Sequence, residues 1–202
     1  MSDKNQFQIS GDDLGNIWVN DVLTFVADDA GMRELEIPSI VTPPGQSIAD
    51  ALKVSGVRRL ILGVQSIDAR FATEDAIDCN HSEDVEIFVC HLYPGKKYAA
   101  TVKGASKRIR FVVDHQHGHG GETDYDLGNF SDQGNGKTTG ISLSVNMDDA
   151  SPVRVRVLSA DTPHLVNAAH QDYKVNTALG KGWFYPIYNF LKDLLKTFGI
   201  SI

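Results

Sequence analysis

The segment DAIDCNHSEDVEIFVCH (residues 75–91) contains two runs of alternating apolar residues separated by a polar turn. The runs are rich in Ile and Val, and Asn, His, Ser and Asp fill the turn, which is the pattern of two β-strands joined by a tight connection. The same pattern precedes it in DALKVSGVRRLILGV (50–64) and follows it in AATVKGASKRIRFVVDH (99–115). The segment is therefore one unit of a repeat.

Apolar positions of the three units align at a nearly constant step along the chain. Units of roughly 25 residues, with strands and no helical period, are typical of a solenoid in which each unit forms one coil. Parallel strand pairing then stacks each coil about 4.8 Å above the last. Two aligned sets of residues carry this register, namely Leu60, Val85 and Ile109, and Ala51, Ala76 and Ala100.

The coils AIDCNHSEDVEI (76–87) and ATVKGASKRIRF (100–111) resemble those of the right-handed parallel β-helix of the pectate-lyase-like superfamily. The resemblance extends over roughly residues 45–160 and implies an all-β fold, a short right-handed parallel β-helix. It specifies the architecture and leaves the activity open, since enzymes, virion spikes and adhesins share this coil.

The regular repeats begin after a turn at Pro43, Pro44 and Gly45, so we expect residues 1–44 to form a cap or an irregular first coil. The β-helix is predicted over residues 45–163, with 139–163 as its fourth coil.

In that fourth coil Val153 is placed in register with Ile109, although almost two repeat lengths separate them. This leaves roughly 20 residues more than the repeat needs. The excess predicts an insertion at about residues 117–138, which protrudes from the solenoid.

Residues 164–202 are predicted to form a linker followed by a C-terminal amphipathic helix, because apolar residues in 183–202 recur at steps of three and four. Three roles remain open for this helix: a cap on the end of the solenoid, a contact in a homo-oligomer, with a trimer favoured, and a contact with a membrane surface. The residues assigned to this surface are Trp183, Phe184, Ile187, Leu191, Leu194 and Phe198.

Composition excludes some classes of protein. The 202 residues are 42% hydrophobic, which is ordinary for a folded domain, and the net charge of −7 disfavours nucleic-acid binding. The N-terminus has no apolar secretory region, so we expect synthesis in the cytoplasm, with a virus particle as a final location. Cys79 and Cys90 match no disulfide framework and are expected to be free thiols.

Histidines mark the first candidate site. His115, His117 and His119 alternate with other residues and would share one face of a strand, where imidazoles suit a transition metal such as Fe or Zn. His91 lies one repeat before His115 and takes the same position in the preceding coil, with Ser66 one coil further back. Adjacent residues on a strand point to opposite faces, so Cys90 should not lie beside His91.

Three interpretations of the histidines stay open: a polar surface loop, a metal site within one chain, and a metal site shared at an oligomer axis. The last rests on a resemblance to phage spike tips, in which an H-x-H pair from each of three chains holds one iron. The matching patterns here are His115-Gln-His117 and His117-Gly-His119.

Acidic residues mark the second candidate site. If the protein is an enzyme, Glu122, Asp124 and Asp126 are the candidate catalytic groups, because paired carboxylates carry out glycoside hydrolysis. The alternatives are calcium binding, although the spacing does not match an EF-hand loop, and an ordered loop whose acids face water. Asp78 has Lys103 at the distance of one coil, which indicates an ion-pair ladder rather than a catalytic set.

The function predicted from these features is that of a non-enzymatic structural or attachment protein, a phage spike or fibre component with virion proteins or a surface glycan as partners. A short solenoid, an acidic balance and an apolar C-terminal segment favour it. A polysaccharide lyase or hydrolase is the alternative, and a metal-binding protein that uses His91 and the histidines from His115 to His119 is the second.

Overall fold

The computed structural model describes residues 5–27, 31–120, 127–130, 138–149, 151–157, 164–165 and 173–177. For 127–130, 156–157, 164–165 and 173–177 we describe the backbone alone. Every regular secondary-structure element in this part of the chain is a strand. These strands form the parallel coils of a β-solenoid of about three turns. The predicted all-β solenoid is therefore confirmed.

From residue 52 onward the described strands alternate along the chain between two sheets, so each of these coils contributes one strand to each. The bounds of all the strands are β1 (Phe7–Gly11), β2 (Ile17–Val19), β3 (Val22–Phe25), β4 (Arg33–Ile37), β5 (Ile40–Val41), β6 (Leu52–Ser55), β7 (Arg58–Asp68), β8 (Ile77–Asn80), β9 (Glu83–Tyr93), β10 (Ala100–Lys103), β11 (Lys107–Gln116), β12 (Leu127–Phe130), β13 (Ser142–Met147), β14 (Val153–Val157), β15 (His164–Leu165) and β16 (Tyr173–Thr177).

The first sheet has nine strands in the order β16-β14-β12-β10-β8-β6-β1-β2-β3, and the second has the order β15-β13-β11-β9-β7-β4, with β5 also paired to β7. Pairing is parallel except along β1-β2-β3, which is antiparallel. The N-terminal segment thus supplies an irregular first coil, since β1 pairs with β6 and β4 with β7.

The core lies between the two sheets and is built from alternate residues of each strand. Leu60, Val85 and Ile109 pair in the predicted register and are fully buried. The neighbouring core layers are built in the same way, so similar side chains stack on one another along the solenoid axis. Phe111 is the largest of the fully buried side chains.

The predicted alanine register is wrong by one residue in the third coil. Ala100 pairs with Ile77, not with Ala76. The cause is the turn between β10 and β11, Gly104 to Ser106, which is one residue longer than the turn between β8 and β9. Two successive residues of that turn, Gly104 and Ala105, have positive φ, which absorbs the extra residue.

The predicted fourth coil is also wrong in its register. Arg110 pairs with Ser142, so Ile141 and not Val153 takes the position of Ile109, and β14 lies in the nine-stranded sheet. Within the predicted insertion, β12 pairs with β10 on one side and with β14 on the other. Residues 127–130 therefore belong to the solenoid. The alternation of VRVRV suits either sheet, which is why the pattern alone misplaced it.

The predicted C-terminal helix lies outside the described residues. Within them, no helix is long and apolar enough to cross a membrane. Both cysteines are free, as expected, with Cys79 buried and Cys90 partly exposed.

Candidate functional site

The strands of the second sheet bend at one level, and the bend brings the histidines to the outer surface. In β9, Cys90 and His91 are both partly exposed between the buried residues Val89 and Leu92. The same break in the alternation occurs in β7 and β11. The expectation that Cys90 and His91 occupy opposite faces is therefore wrong, because strict alternation holds only along an unbroken strand.

Four rings and one carboxylate meet at this bend. We call His91, Tyr93, His115, His117 and Asp148 the histidine corner. His91 pairs with His115 and with Ser66, as the repeat predicted. The rings of His91 and His115 stack with centroids 5.2 Å apart, and those of His91 and His117 with centroids 5.4 Å apart.

Asp148 connects the histidines. Its Oδ2 atom lies 2.5 Å from Nδ1 of His117 and its Oδ1 atom 3.2 Å from Nδ1 of His115. His117 Nε2 in turn lies 3.2 Å from Nδ1 of His91. An ionised carboxylate only accepts hydrogen bonds, so His117 donates from Nδ1 and, when neutral, accepts at Nε2. His91 must then donate from its own Nδ1.

A second stack fixes His117 from the side. The rings of Tyr93 and His117 are nearly parallel, with centroids 4.1 Å apart. The guanidinium of Arg70 lies over the Tyr93 ring, 5.1 Å from its centroid, and is held by Asp68, with Nε 2.9 Å from Oδ1. The ring of His117 is therefore packed into one orientation, unlike that of a side chain on a mobile loop.

The corner leads to a prediction about tautomers. In nitrogen-15 NMR spectra recorded at pH 8, His91 and His117 should both carry their hydrogen on Nδ1, because Asp148 and the bond between the two rings require it. In an Asp148→Ala variant His117 should lose this preference. His81, which lies outside the corner, is the internal reference and should not change. A His117 that carries its hydrogen on Nε2 in the wild-type protein would contradict the arrangement.

The other candidate residues are only partly brought together. His119 lies apart from the stacks, with Nε2 2.8 Å from the hydroxyl of Ser151. Glu122, Asp124 and Asp126 lie outside the described residues, as do Trp183 and the other residues of the predicted helix. Among the residues that are described, no three His, Cys, Asp or Glu side chains are arranged to hold a metal ion. A metal site at an oligomer axis stays a prediction.

A buried acidic cluster, missed by the sequence reasoning, lies just before strands β6 and β8 of the nine-stranded sheet. Asp50 and Asp75 are 3% and 5% exposed, and Oδ1 of Asp50 accepts a hydrogen bond from the amide of Asp75. Burial, together with the nearby Asp78 and Asp75 carboxylates, raises the pKa of Asp50 to about 7. Burial likewise raises the pKa of Asp75 to about 6. Such values suit acid catalysis, but these side chains are closed to a substrate.

Asp78 forms the predicted ion-pair ladder with two lysines. It lies between Lys53, 3.4 Å away, and Lys103, 3.1 Å away, which belong to the coils on either side. Burial alone would lower the pKa of Lys103, but the carboxylates of Asp78, Asp75 and Asp50 together outweigh it and raise that pKa above its ordinary value. The ladder therefore ties three coils together, with its charges paired.

The surface of the second sheet carries a similar ladder. Arg108 binds Asp84 through Nε at 2.5 Å and Glu83 through Nη2 at 2.6 Å. Arg110 binds Glu86 at 3.0 Å and lies over the ring of Phe88. Asp84, Glu86 and the two arginines line part of a groove of about 240 Å³. Its acids are already neutralised by its arginines.

Tyr93 and Asp148 are the residues of the corner that sequence reasoning missed. Tyr93 lies one repeat before His117, so the repeat alone places the two rings side by side. For Asp148 no such signal existed, since the step from β11 to β13 is longer than one repeat.

Comparisons with protein-family models, with curated proteins and with solved structures found no match.

Proposed function

We propose that this chain is a non-enzymatic structural or attachment module, of the type carried by a virus particle. One observation carries the proposal: charged side chains of successive coils pair with each other along the solenoid axis. Asp78 is paired with two lysines, and Arg108 with two acids. General acid–base catalysis instead needs an accessible group poised to exchange a proton with a substrate.

This pairing suits a scaffold. Successive coils are joined by backbone pairing in two sheets, and some of them also by ion pairs, so bending or separating coils would break several interactions at once. A rigid rod that presents fixed side chains is what an attachment protein needs, because a preorganised surface loses little entropy when it binds. The resemblance to phage spike and fibre modules supports a virion as the setting.

The histidine corner is the contact surface that we assign to this function. Its imidazole edges and the Tyr93 hydroxyl supply donors and acceptors at fixed spacing, which suits the hydroxyl groups of a surface glycan. A virion protein is the other partner class that the proposal allows.

The test combines binding with turnover. The full chain is run by affinity electrophoresis through gels that contain acidic or neutral bacterial polysaccharides, and the same mixtures are assayed for new reducing ends and unsaturated sugars. We expect retardation by at least one polysaccharide, without products, and its loss in a Tyr93→Ala, His117→Ala variant. An Arg58→Ala variant, altered on an exposed residue at the start of β7, serves as the control.

Product release that disappears in Asp124→Asn or Asp126→Asn would contradict the proposal and favour the polysaccharide-active alternative. Stoichiometric Fe or Zn in protein purified without a histidine tag, with a melting temperature lowered by chelator, would favour the metal-binding alternative.

Light scattering of the same preparation should give three times the mass of one chain.

A further inference from the structure

The N-terminal end of the solenoid exposes a concentration of large apolar side chains. Leu14 is 78% exposed, Val22 65%, Leu23 49% and Val26 68%. They lie close together along the chain, in the turn after β1, in β3 and directly after it. Ile17, on the paired strand, is fully buried, so β2 packs on the core, whereas Val22 and Leu23, which point to opposite faces of β3, are both exposed to solvent.

Strand β3 is also the last strand of the nine-stranded sheet. It pairs with β2 through Val19 with Val22 and Trp18 with Leu23, and no other described strand pairs with its far side. Alternate backbone groups of such a strand point away from the sheet and can receive another strand. The charged lysines that often protect an edge are missing, since β3 reads VLTF.

The negative charge of this region restricts the kind of partner that can bind there. Residues 5–32 contain five aspartates and neither lysine nor arginine. Asp13 and Asp21 are exposed and lie in the turns on either side of β2, next to the apolar side chains. A second copy of the chain would place aspartates opposite aspartates, and an anionic membrane would repel them as well. A basic partner would be attracted.

We propose that the edge of β3 that pairs with no other described strand binds an extended segment of a partner protein in which apolar and basic residues alternate. The segment would extend the nine-stranded sheet by one strand. Its backbone would pair with β3, its apolar side chains would pack beside the exposed apolar side chains on one face of that strand, and its basic side chains would meet Asp13 and Asp21. The inference rests on the proposed function and deepens it, because it names the end through which the module joins its assembly.

The probe is a short fluorescent peptide of alternating valine and lysine, with a peptide of alternating valine and glutamate as its counterpart. In anisotropy titrations of the full chain, the lysine peptide should bind with an affinity that falls as salt is added, and the glutamate peptide should not bind. Val22→Lys with Leu23→Lys should weaken binding about tenfold or more. Asp13→Asn with Asp21→Asn should weaken it mainly at low salt, and Asn keeps the left-handed backbone at position 21.

The matched control is Phe71→Lys, which places the same charge on an exposed apolar residue, 46% accessible, in the connection between β7 and β8. It should bind the lysine peptide as the wild type does. All these side chains are exposed, so the variants should fold, and their melting temperatures check this.

Equal binding of the two peptides, or full binding by Val22→Lys with Leu23→Lys, would overturn the inference. A lower oligomer mass of that variant would identify a second copy of the chain as the occupant. If the wild type sedimented with anionic vesicles and that variant did not, the occupant would be a membrane. Either result also overturns the inference. Retardation by polysaccharide is measured separately, so a failure of the peptide test leaves the proposed function standing.

Discussion

Replacing Gly95 with alanine is expected to destabilise the solenoid by about 3 kcal/mol or more. Gly95 is buried where the chain leaves β9, and the new methyl group would overlap the carbonyl oxygen of Glu74 and lie 3.1 Å from the carbonyl carbon of Asp75. These are backbone atoms of the preceding coil, and the Glu74 oxygen also accepts a hydrogen bond from Lys97 at 2.9 Å. They cannot move without separating the coils.

Chemical denaturation and melting temperature measure the effect, which for a chain of this size should be a fall of roughly 6–12 °C. Gly63→Ala is the matched control. Its methyl group would lie 3.7 Å from Cγ of Glu36, an ordinary contact, and alanine in a strand restricts the unfolded chain. Gly63→Ala should be neutral or slightly stabilising. Equal losses of stability in both variants would contradict the close approach of the coils at Gly95.

Replacing Asp50 with asparagine is expected to stabilise the protein at pH 8 and to have little effect near pH 4. The pKa of Asp50 is raised to about 7 by burial and by the Asp78 and Asp75 carboxylates, whereas its ordinary value is 3.8. Between these values the folded state holds a proton that the unfolded state has lost, so stability falls as pH rises from about 4 to about 7. Asparagine stays neutral, and its oxygen can still accept from the Asp75 amide.

Each tenfold change in proton affinity corresponds to about 1.4 kcal/mol, so the gain at pH 8 should be on the order of 2–4 kcal/mol. It is measured as the difference in unfolding free energy between variant and wild type across the pH range. Asp68→Asn is the control of opposite sign. Its hydrogen bonds to Arg70 hold the pKa of Asp68 below the ordinary value, so that variant should lose stability at neutral pH and not at low pH. A gain in Asp50→Asn that does not depend on pH would contradict the assignment.

The repeat was predictable because a solenoid repeats one environment. Leu60, Val85 and Ile109 had to be apolar and equally spaced to stack, so their register could be found by alignment alone. The pairing of His91 with His115 followed from the same step. These features depend on a fixed distance along the chain.

The errors occurred where that distance changes. One extra residue in the turn at Gly104 shifted Ala100, and a step longer than the usual repeat separates Ile109 from Ile141, which moved the whole fourth coil. Alternating valines pair as well in one sheet as in the other. Hence Val153 could not be assigned to a sheet without knowledge of the lengths of the connections before it.

The amino-acid sequence by itself determined the class of fold, the spacing of its coils and which side chains face the core, because periodic burial leaves a periodic pattern. Only the tertiary structure decided what surrounds each polar group. The bend that places Cys90 and His91 on one surface, the return of Asp148 to His117, and the burial that raises the pKa of Asp50 all depend on atoms from other coils. Local sequence does not encode the dielectric or the partners that distant segments create.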